Sequence, residues 1–253
     1  MKHENKIALV TGSSRGLGRN IALTLARSGA GVVVTYRTAR AEAEAVVAEI
    51  GNLGGGAIAL PLDVSLVGSF GSFSQQLKDA LRHRWQRDTF DFLINNAGVG
   101  INKPFAETTE EDFDLLMNVH FKGVYFLTQR MLPLLATGGR IVNTSTGLAR
   151  FSGPGYSAYA SMKGAIEVLT RYLAKELGSR QITVNTVAPG IIETDFTEHT
   201  LANAAAAEFY AKNIALGRVG VPDDIGGVVN FLCSDAGRWV NAQRIEASGG
   251  MFI

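Results

Sequence analysis

The 253-residue chain is 46% hydrophobic and 19% charged and carries a formal net charge of +1, a globular composition without the basic excess of a nucleic-acid-binding protein. Its single cysteine, Cys233, excludes an intrachain disulfide, and His3, His83, His120 and His199 show no metal-ligand spacing. No apolar run has the length of a signal-peptide core or a membrane span, so the expectation is a cytoplasmic protein that meets neither membrane nor nucleic acid, folded as one α/β domain over residues 1–253.

The first strand is expected over Lys6 to Val10, a short apolar run that stops at Thr11-Gly12. Ser13, Ser14, Arg15, Gly16, Leu17 and Gly18 then lead into an amphipathic helix that carries Ile21, Leu25 and Ala26 and ends near Gly29. Strand, glycine turn and helix are the context of a dinucleotide fingerprint. Gly12 suits the tight turn, Gly16 a close approach of backbone to ligand, and Gly18 the packing of helix on strand, while the free N–H groups of the helix start face a pyrophosphate. Glycines also serve turns that hold no ligand. Support comes from the second strand, Gly31 to Thr35, which ends in Tyr36, Arg37 and Thr38. An acid at this place binds a ribose 2′-hydroxyl and an arginine accommodates a 2′-phosphate. The acid is missing, and Arg37, with Arg15 and Arg40, supplies guanidinium groups suited to a phosphate. The cofactor is read as NADP(H), the alternative being that these arginines are merely solvated.

A helix from Ala39 to Leu53 precedes a third strand, Ala57 to Leu60, which runs to Asp63 and Val64. The Asp63 carboxylate is placed either to hold an adenine amino group or to cap the next helix. That helix is expected from Ser65 to about Arg84, with Gly68 and Gly71 weakening its first turns. A fourth strand, Phe90 to Ile94, runs into Asn95-Asn96-Ala97-Gly98, where Asn95, Ala97 and Gly98 are candidate ligand contacts. Thr109-Glu110-Glu111-Asp112 opens a long helix with acids in its first turn, as the helix dipole prefers. After a strand over Arg140 to Asn143, a helical segment opens at Ser157 and sets Tyr159 and Lys163 one turn apart on one face. A free phenol titrates near ~10 and an adjacent ammonium favours its phenolate. Lys163 is therefore expected to lower the Tyr159 pKa and make it a general acid or base. A strand over Ile182 to Val187 leads into Pro189-Gly190, and the segment Asp195 to Gly217 is read as a substrate lid. Pro222 opens a helix running to Cys233, whose thiol is read as buried and structural, and Arg244 to Glu246 form the last strand before an apolar end, Ala247 to Ile253.

Four motifs in this order resemble the short-chain dehydrogenase/reductase superfamily: Thr11 to Gly18 for the TGxxxGxG turn, Asn95 to Gly98 for NNAG, Tyr159 to Lys163 for YxxxK, and Pro189-Gly190 for the late PG. The resemblance covers nearly the whole chain. It implies a Rossmann-type, doubly wound parallel sheet in three layers, helices on both faces, with ligands at the carboxyl ends of the strands. It also implies reversible reduction of a small-molecule ketone or aldehyde, with Tyr159 the proton donor, Lys163 binding the nicotinamide ribose and tuning Tyr159, and a hydroxyl polarising the carbonyl. The family serine lies thirteen residues before the tyrosine, a position held here by Thr146, with Ser145 beside it in reserve. Threonine carries the same hydroxyl on a stiffer side chain. The family's relay asparagine falls at His120, in Val119-His120-Phe121-Lys122-Gly123, which makes His120 a candidate for proton transfer although most lone helix histidines are structural. The Ile192 backbone and the Thr194 hydroxyl are candidates to hold the carboxamide. The apolar carboxyl terminus implies a subunit interface in a homotetramer, with a dimer, or packing onto the chain's own core, as alternatives. Two other readings stay open: a beta-ketoacyl carrier-protein reductase, which needs a basic patch beside the cleft, and a non-catalytic NADP-sensing protein, motivated by Thr146 and His120.

Overall fold

Seven short apolar runs become strands in the computed structural model, which describes residues 1–253: β1 (Ile7–Val10), β2 (Gly31–Tyr36), β3 (Ala57–Pro61), β4 (Phe90–Asn95), β5 (Leu135–Thr144), β6 (Thr183–Pro189) and β7 (Arg244–Ala247). They form one sheet in the order β3-β2-β1-β4-β5-β6-β7, and every pairing is parallel. The order reverses direction between β1 and β4, the switch point at which such sheets open a crevice for ligands.

Both faces of the sheet are covered, which is why its central strands are apolar without a polar alternation. Ala8 and Val10 pack with Ile21, Leu25 and Ile225 on one face, whereas Ile7 and Leu9 pack with Phe70, Leu77 and Leu127 on the other. The first layer is built from α1 (Gly16–Arg27), α2 (Arg40–Asn52) and α9 (Pro222–Cys233); the second from α3 (Phe70–Trp85), α4 (Glu110–Met117), α5 (Gly123–Met131) and α6 (Ser157–Glu176). Two short helices, α7 (Glu198–Leu201) and α8 (Ala204–Lys212), occupy the expected lid segment. Cys233 is buried in the first layer, where burial pushes its thiol up to about 12. The polar amino terminus is anchored too, since His3 is buried against Asn230 at 2.7 Å and edge-on to Phe92.

Two helices depart from expectation. The helix expected from Ser65 begins at Phe70, after a single 3-10 turn over Val67–Ser69, because Asp63 accepts hydrogen bonds from the Ser65 amide and hydroxyl and holds the chain in a local turn. The long helix after Thr109 starts with the capping box that Thr109 and Asp112 make, but it is broken by a π-helical turn, Asn118–Lys122, between α4 and α5. The residue that follows must be glycine: a Cβ at Gly123 would stand 2.1 Å from the Val64 carbonyl oxygen. The apolar terminus closes on its own chain, with Met251 buried and the Phe252 amide donating to the Asn213 carbonyl, while Ile253 is exposed.

A buried polar seam joins α6 to the sheet. Asn143 on β5 accepts from Asn95 Nδ2 at 2.8 Å and donates to Thr170 Oγ1 at 2.9 Å, and Thr170 in turn meets Thr186 on β6 at 2.8 Å. Buried amides of this kind cost about 1–3 kcal/mol each when left without a partner. Replacing Asn143 by Ala is therefore expected to lower the urea midpoint of unfolding by an equivalent of about 1–3 kcal/mol, and an unchanged midpoint would show that the seam adds nothing to stability.

Candidate active site

A cavity of about 1340 Å³ opens at the carboxyl ends of the strands, larger than the ~300–1,000 Å³ of a pocket for one drug-sized ligand. Its first half is the glycine turn. Gly12, Ser14, Arg15, Gly16, Leu17 and Gly18 all line it, and α1 starts at Gly16 with no side chain capping its free N–H groups, which leaves them for an anionic ligand. Gly18 is fixed by space rather than by conformation: a Cβ there would lie 2.2 Å from the Gly12 carbonyl oxygen and 2.5 Å from Asn96 Nδ2. The turn is braced from β4, because Thr11 Oγ1 accepts the Asn96 and Ala97 amides at 2.9 and 3.0 Å while Asn96 Nδ2 returns to the Thr11 carbonyl at 3.0 Å.

Tyr36, Arg37, Thr38, Asp63, Val64, Ala97, Gly98, Pro189, Gly190, Ile192 and Thr194 also line the cavity, as the sequence leads one to expect. The three arginines differ. Arg40 is engaged by Glu44 at 2.7 Å and Arg15 stands 3.7 Å from Asp195, whereas Arg37 is exposed at the end of β2. Asn95 is a correction. It is still in strand pleat, so its side chain alternates onto the Leu93 face and is buried with Thr128 and Asn143, away from the cavity. The next residue, Asn96, lines the cavity instead. These features fit a dinucleotide: an uncapped helix start, a turn that admits no Cβ, and free guanidinium at the ribose position.

The second half holds Tyr159, Lys163, Thr146 and His120. Lys163 is buried, and its ammonium donates to the Thr144 carbonyl at 2.7 Å and stands 5.7 Å from the centre of the Tyr159 ring. Burial lowers the Lys163 pKa to about 7. Tyr159 does not behave as its neighbour led one to expect. Burial raises its pKa, and the group that opposes this is the Thr146 hydroxyl, through a hydrogen bond, rather than Lys163. Loss of water around the phenolate outweighs the stabilisation that its neighbours offer.

Ser145 is a second correction. It lines the cavity, but its hydroxyl is buried and committed to Glu167 Oε1, to which it donates at 2.6 Å, which leaves Thr146 as the hydroxyl that is open to a ligand beside Tyr159. His120 lies within the π-helical turn and lines the cavity. Its ring lies edge-on to Tyr159 with centroids 5.0 Å apart, and Nε2 hydrogen bonds the Val99 carbonyl at 2.7 Å. Burial, helped by the Lys163 charge, lowers its pKa to about 3. The imidazole is held neutral at neutral pH, with Nε2 committed to the backbone and its ring packed against Tyr159. Beyond these residues the cavity is walled by Phe151, Tyr156, Phe196, Phe209, Tyr210 and Phe252, aromatic side chains from four separate segments that no local motif announces.

The family described as enoyl-(acyl carrier protein) reductase matches residues 12–252. The hydroxynaphthalene reductase-like protein Arp2 of Metarhizium robertsii is 40% identical, over 97% of this chain and 94% of its own. Among solved structures, the promiscuous reductase LugOII, which catalyses keto-reduction at C1 during lugdunomycin biosynthesis, superposes with a TM-score of 0.94 and 38% identity over the whole of both chains. The angucycline C-6 ketoreductase LanV with bound NADP superposes with a TM-score of 0.93 and 37% identity over 98% of this chain and 96% of that one. The chain belongs to the short-chain dehydrogenase/reductase superfamily. As a member of that superfamily it is an oxidoreductase.

The buried Lys163 gives this superfamily member a pH-dependent weakness. An unfolded lysine binds its proton below about pH 10.4, whereas the folded one does so only below about 7. Between those values the unfolded chain holds the extra proton, so the cost of burying the amine grows as pH falls through the window and is complete below it. The Lys163→Met variant is expected to melt at a higher temperature than the wild type at about pH 6.5, with the gain shrinking toward about pH 10. A gain that does not change with pH would show that the amine is not desolvated.

Proposed function

We propose that the chain is an NADPH-dependent ketoreductase with Tyr159 as proton donor, acting on a ketone carried by a fused aromatic ring system. The observation that carries this reading is the gathering of Tyr159, Thr146 and Lys163 at the junction of a dinucleotide cradle and an aromatic-walled recess within one cavity. NADPH, when bound, supplies the hydride that reaches the carbonyl carbon. Thr146 donates a hydrogen bond to the carbonyl oxygen and draws electron density toward it. As the C=O π pair moves onto that oxygen, Tyr159 transfers its phenolic proton to it, giving the alcohol. The raised pKa suits this direction: Tyr159 holds its proton at neutral pH, and the oxygen forming beside it is far more basic than a phenolate. Lys163, fixed to Thr144, holds a cationic donor beneath the tyrosine, and an anionic ligand in the cavity favours its charged form.

The substrate class draws support from the relatives, a hydroxynaphthalene reductase-like protein and an angucycline ketoreductase, and from the aromatic wall. A reductase of carrier-protein thioesters is less well supported. The cationic residues that line the cavity are Arg15, Arg37, Arg40 and Lys163, and the three arginines stand at the cofactor end, so none offers an acidic carrier a basic surface at the substrate end.

Replacing Tyr159 by Phe is expected to lower NADPH-consuming turnover of a bicyclic ketone such as 2-tetralone by about 10²–10⁴-fold and to leave NADPH binding, followed by nucleotide fluorescence, unchanged. Turnover within a few-fold of the wild type would remove Tyr159 from the mechanism. The cofactor preference has its own test in Arg37→Ala, which is expected to raise the KM for NADPH about tenfold, the equivalent of one charge-assisted hydrogen bond, with little effect on that for NADH. Equal changes for the two nucleotides would show that Arg37 does not contact a 2′-phosphate.

A further inference from the structure

Phe252 adopts a left-handed backbone conformation, with φ of +52°. For a bulky side chain this conformation is strained and persists only where the surroundings impose it. The surroundings are explicit. Arg150 Nη2 donates to the Met251 carbonyl at 2.6 Å and Nη1 to the Phe252 carbonyl at 3.3 Å. Arg150 is itself gripped at both ends by Glu246, through Nε to Oε2 and Nη2 to Oε1, each at 2.6 Å. The Phe252 amide is taken by the Asn213 carbonyl at 2.9 Å. Held in this way, the Phe252 ring packs edge-on against Phe151 with centroids 4.8 Å apart and lies 6.2 Å from Phe209, and all three line the cavity. Phe151 follows the loop that carries Thr146 and Phe209 belongs to the lid helix α8, so the penultimate residue of the chain closes the gap between the catalytic loop and the lid.

We propose that Phe252 is a specificity-determining wall of the carbonyl recess and that Arg150 is the residue that positions it. The recess takes a flat ring system, which Phe252 meets with an aromatic face or edge, and its width is set by how firmly Arg150 holds the terminus. The proposal deepens the ketoreductase reading and rests on it for its substrate.

The test uses the intact chain saturated with NADP⁺ and a flat aromatic probe, 2-naphthol, whose binding is followed by its own fluorescence. Phe252→Ala is expected to weaken naphthol binding about tenfold and to lower the ratio of kcat/KM for 2-tetralone over cyclohexanone by a similar factor, while NADP⁺ binding shifts less than twofold. Arg150→Met is expected to move both readouts in the same direction, and the double variant to be no worse than Phe252→Ala alone, because the arginine acts through the ring. Phe252→Tyr, which keeps the ring, is expected to retain wild-type naphthol binding. Naphthol binding that ignores Phe252→Ala, or effects of the two single variants that add in full, would overturn the proposal. A wild type that binds naphthol but reduces no ketone would instead sink the ketoreductase reading and leave the wall standing on the binding data.

Discussion

Three side-chain contacts between the end of β5 and one stripe of α6 decide where chemistry can occur in this molecule. Lys163, Glu167 and Thr170 recur at the spacing of a single helix face, and they meet the Thr144 carbonyl, the Ser145 hydroxyl and the Asn143 amide in turn. Such a zip fixes both the height and the rotation of α6 on the sheet. Tyr159, one turn before Lys163, is then carried to the cavity, and Thr146, the residue after the zipped segment Asn143 to Ser145, is carried to the same cavity. Neither residue needs a dedicated support, because the seam that stabilises the helix on the sheet is also what sets their separation.

The same region is where the chain breaks the rules that hold elsewhere. An amine is buried and brought to about 7, an imidazole is buried and brought to about 3, and a helix takes a π-helical turn to place that imidazole. Each is unfavourable by itself, and each would be relieved by an apolar or shorter residue. That such departures gather around one phenol is what a site under functional constraint looks like. The rest of the fold is locally consistent, with apolar strands alternating between two cores and helices that face them.

What could be read from the sequence divides along a physical line. Features carried by adjacent residues were legible: the apolar runs of β1 and β4, the glycine turn, the helix start at Thr109, and the helix that pairs Tyr159 with Lys163. Errors arose where orientation or burial decides. Asn95 and Asn96 are neighbours of one residue type, and only the pleat of β4 sends the first into the core and the second to the cavity. The preference for Thr146 over Ser145 was legible from spacing, but its physical ground was not, because Glu167, more than twenty residues on, claims the serine hydroxyl. The sign of the Tyr159 shift was missed because a sequence displays a neighbouring charge but not the loss of water around both groups. The aromatic wall was illegible for the same reason as any long-range contact, since Phe151 and Phe252 meet across the whole carboxyl-terminal part of the chain.

Glu246 ties these separate features into one unit. Its two oxygens accept from Arg150 and from Arg244, and Ser248 adds a third donor, which together hold its carboxyl at about 2. Arg244 continues the path, donating to Glu167 at 2.6 Å and to the Thr146 carbonyl at 3.1 Å. Two arginines and two carboxylates thus balance in charge, in a partly buried setting where removing one member leaves another uncompensated. The path runs from Glu167 on α6 through Arg244, which also holds the Thr146 carbonyl, and on through Glu246 and Arg150 to the carboxyl-terminal residues that line the cavity. A displacement of Phe252 therefore has a route to the Thr146 loop that passes through charges rather than through the lid helices, and under the proposed ketoreduction that network would couple selectivity for the ring to alignment of the carbonyl.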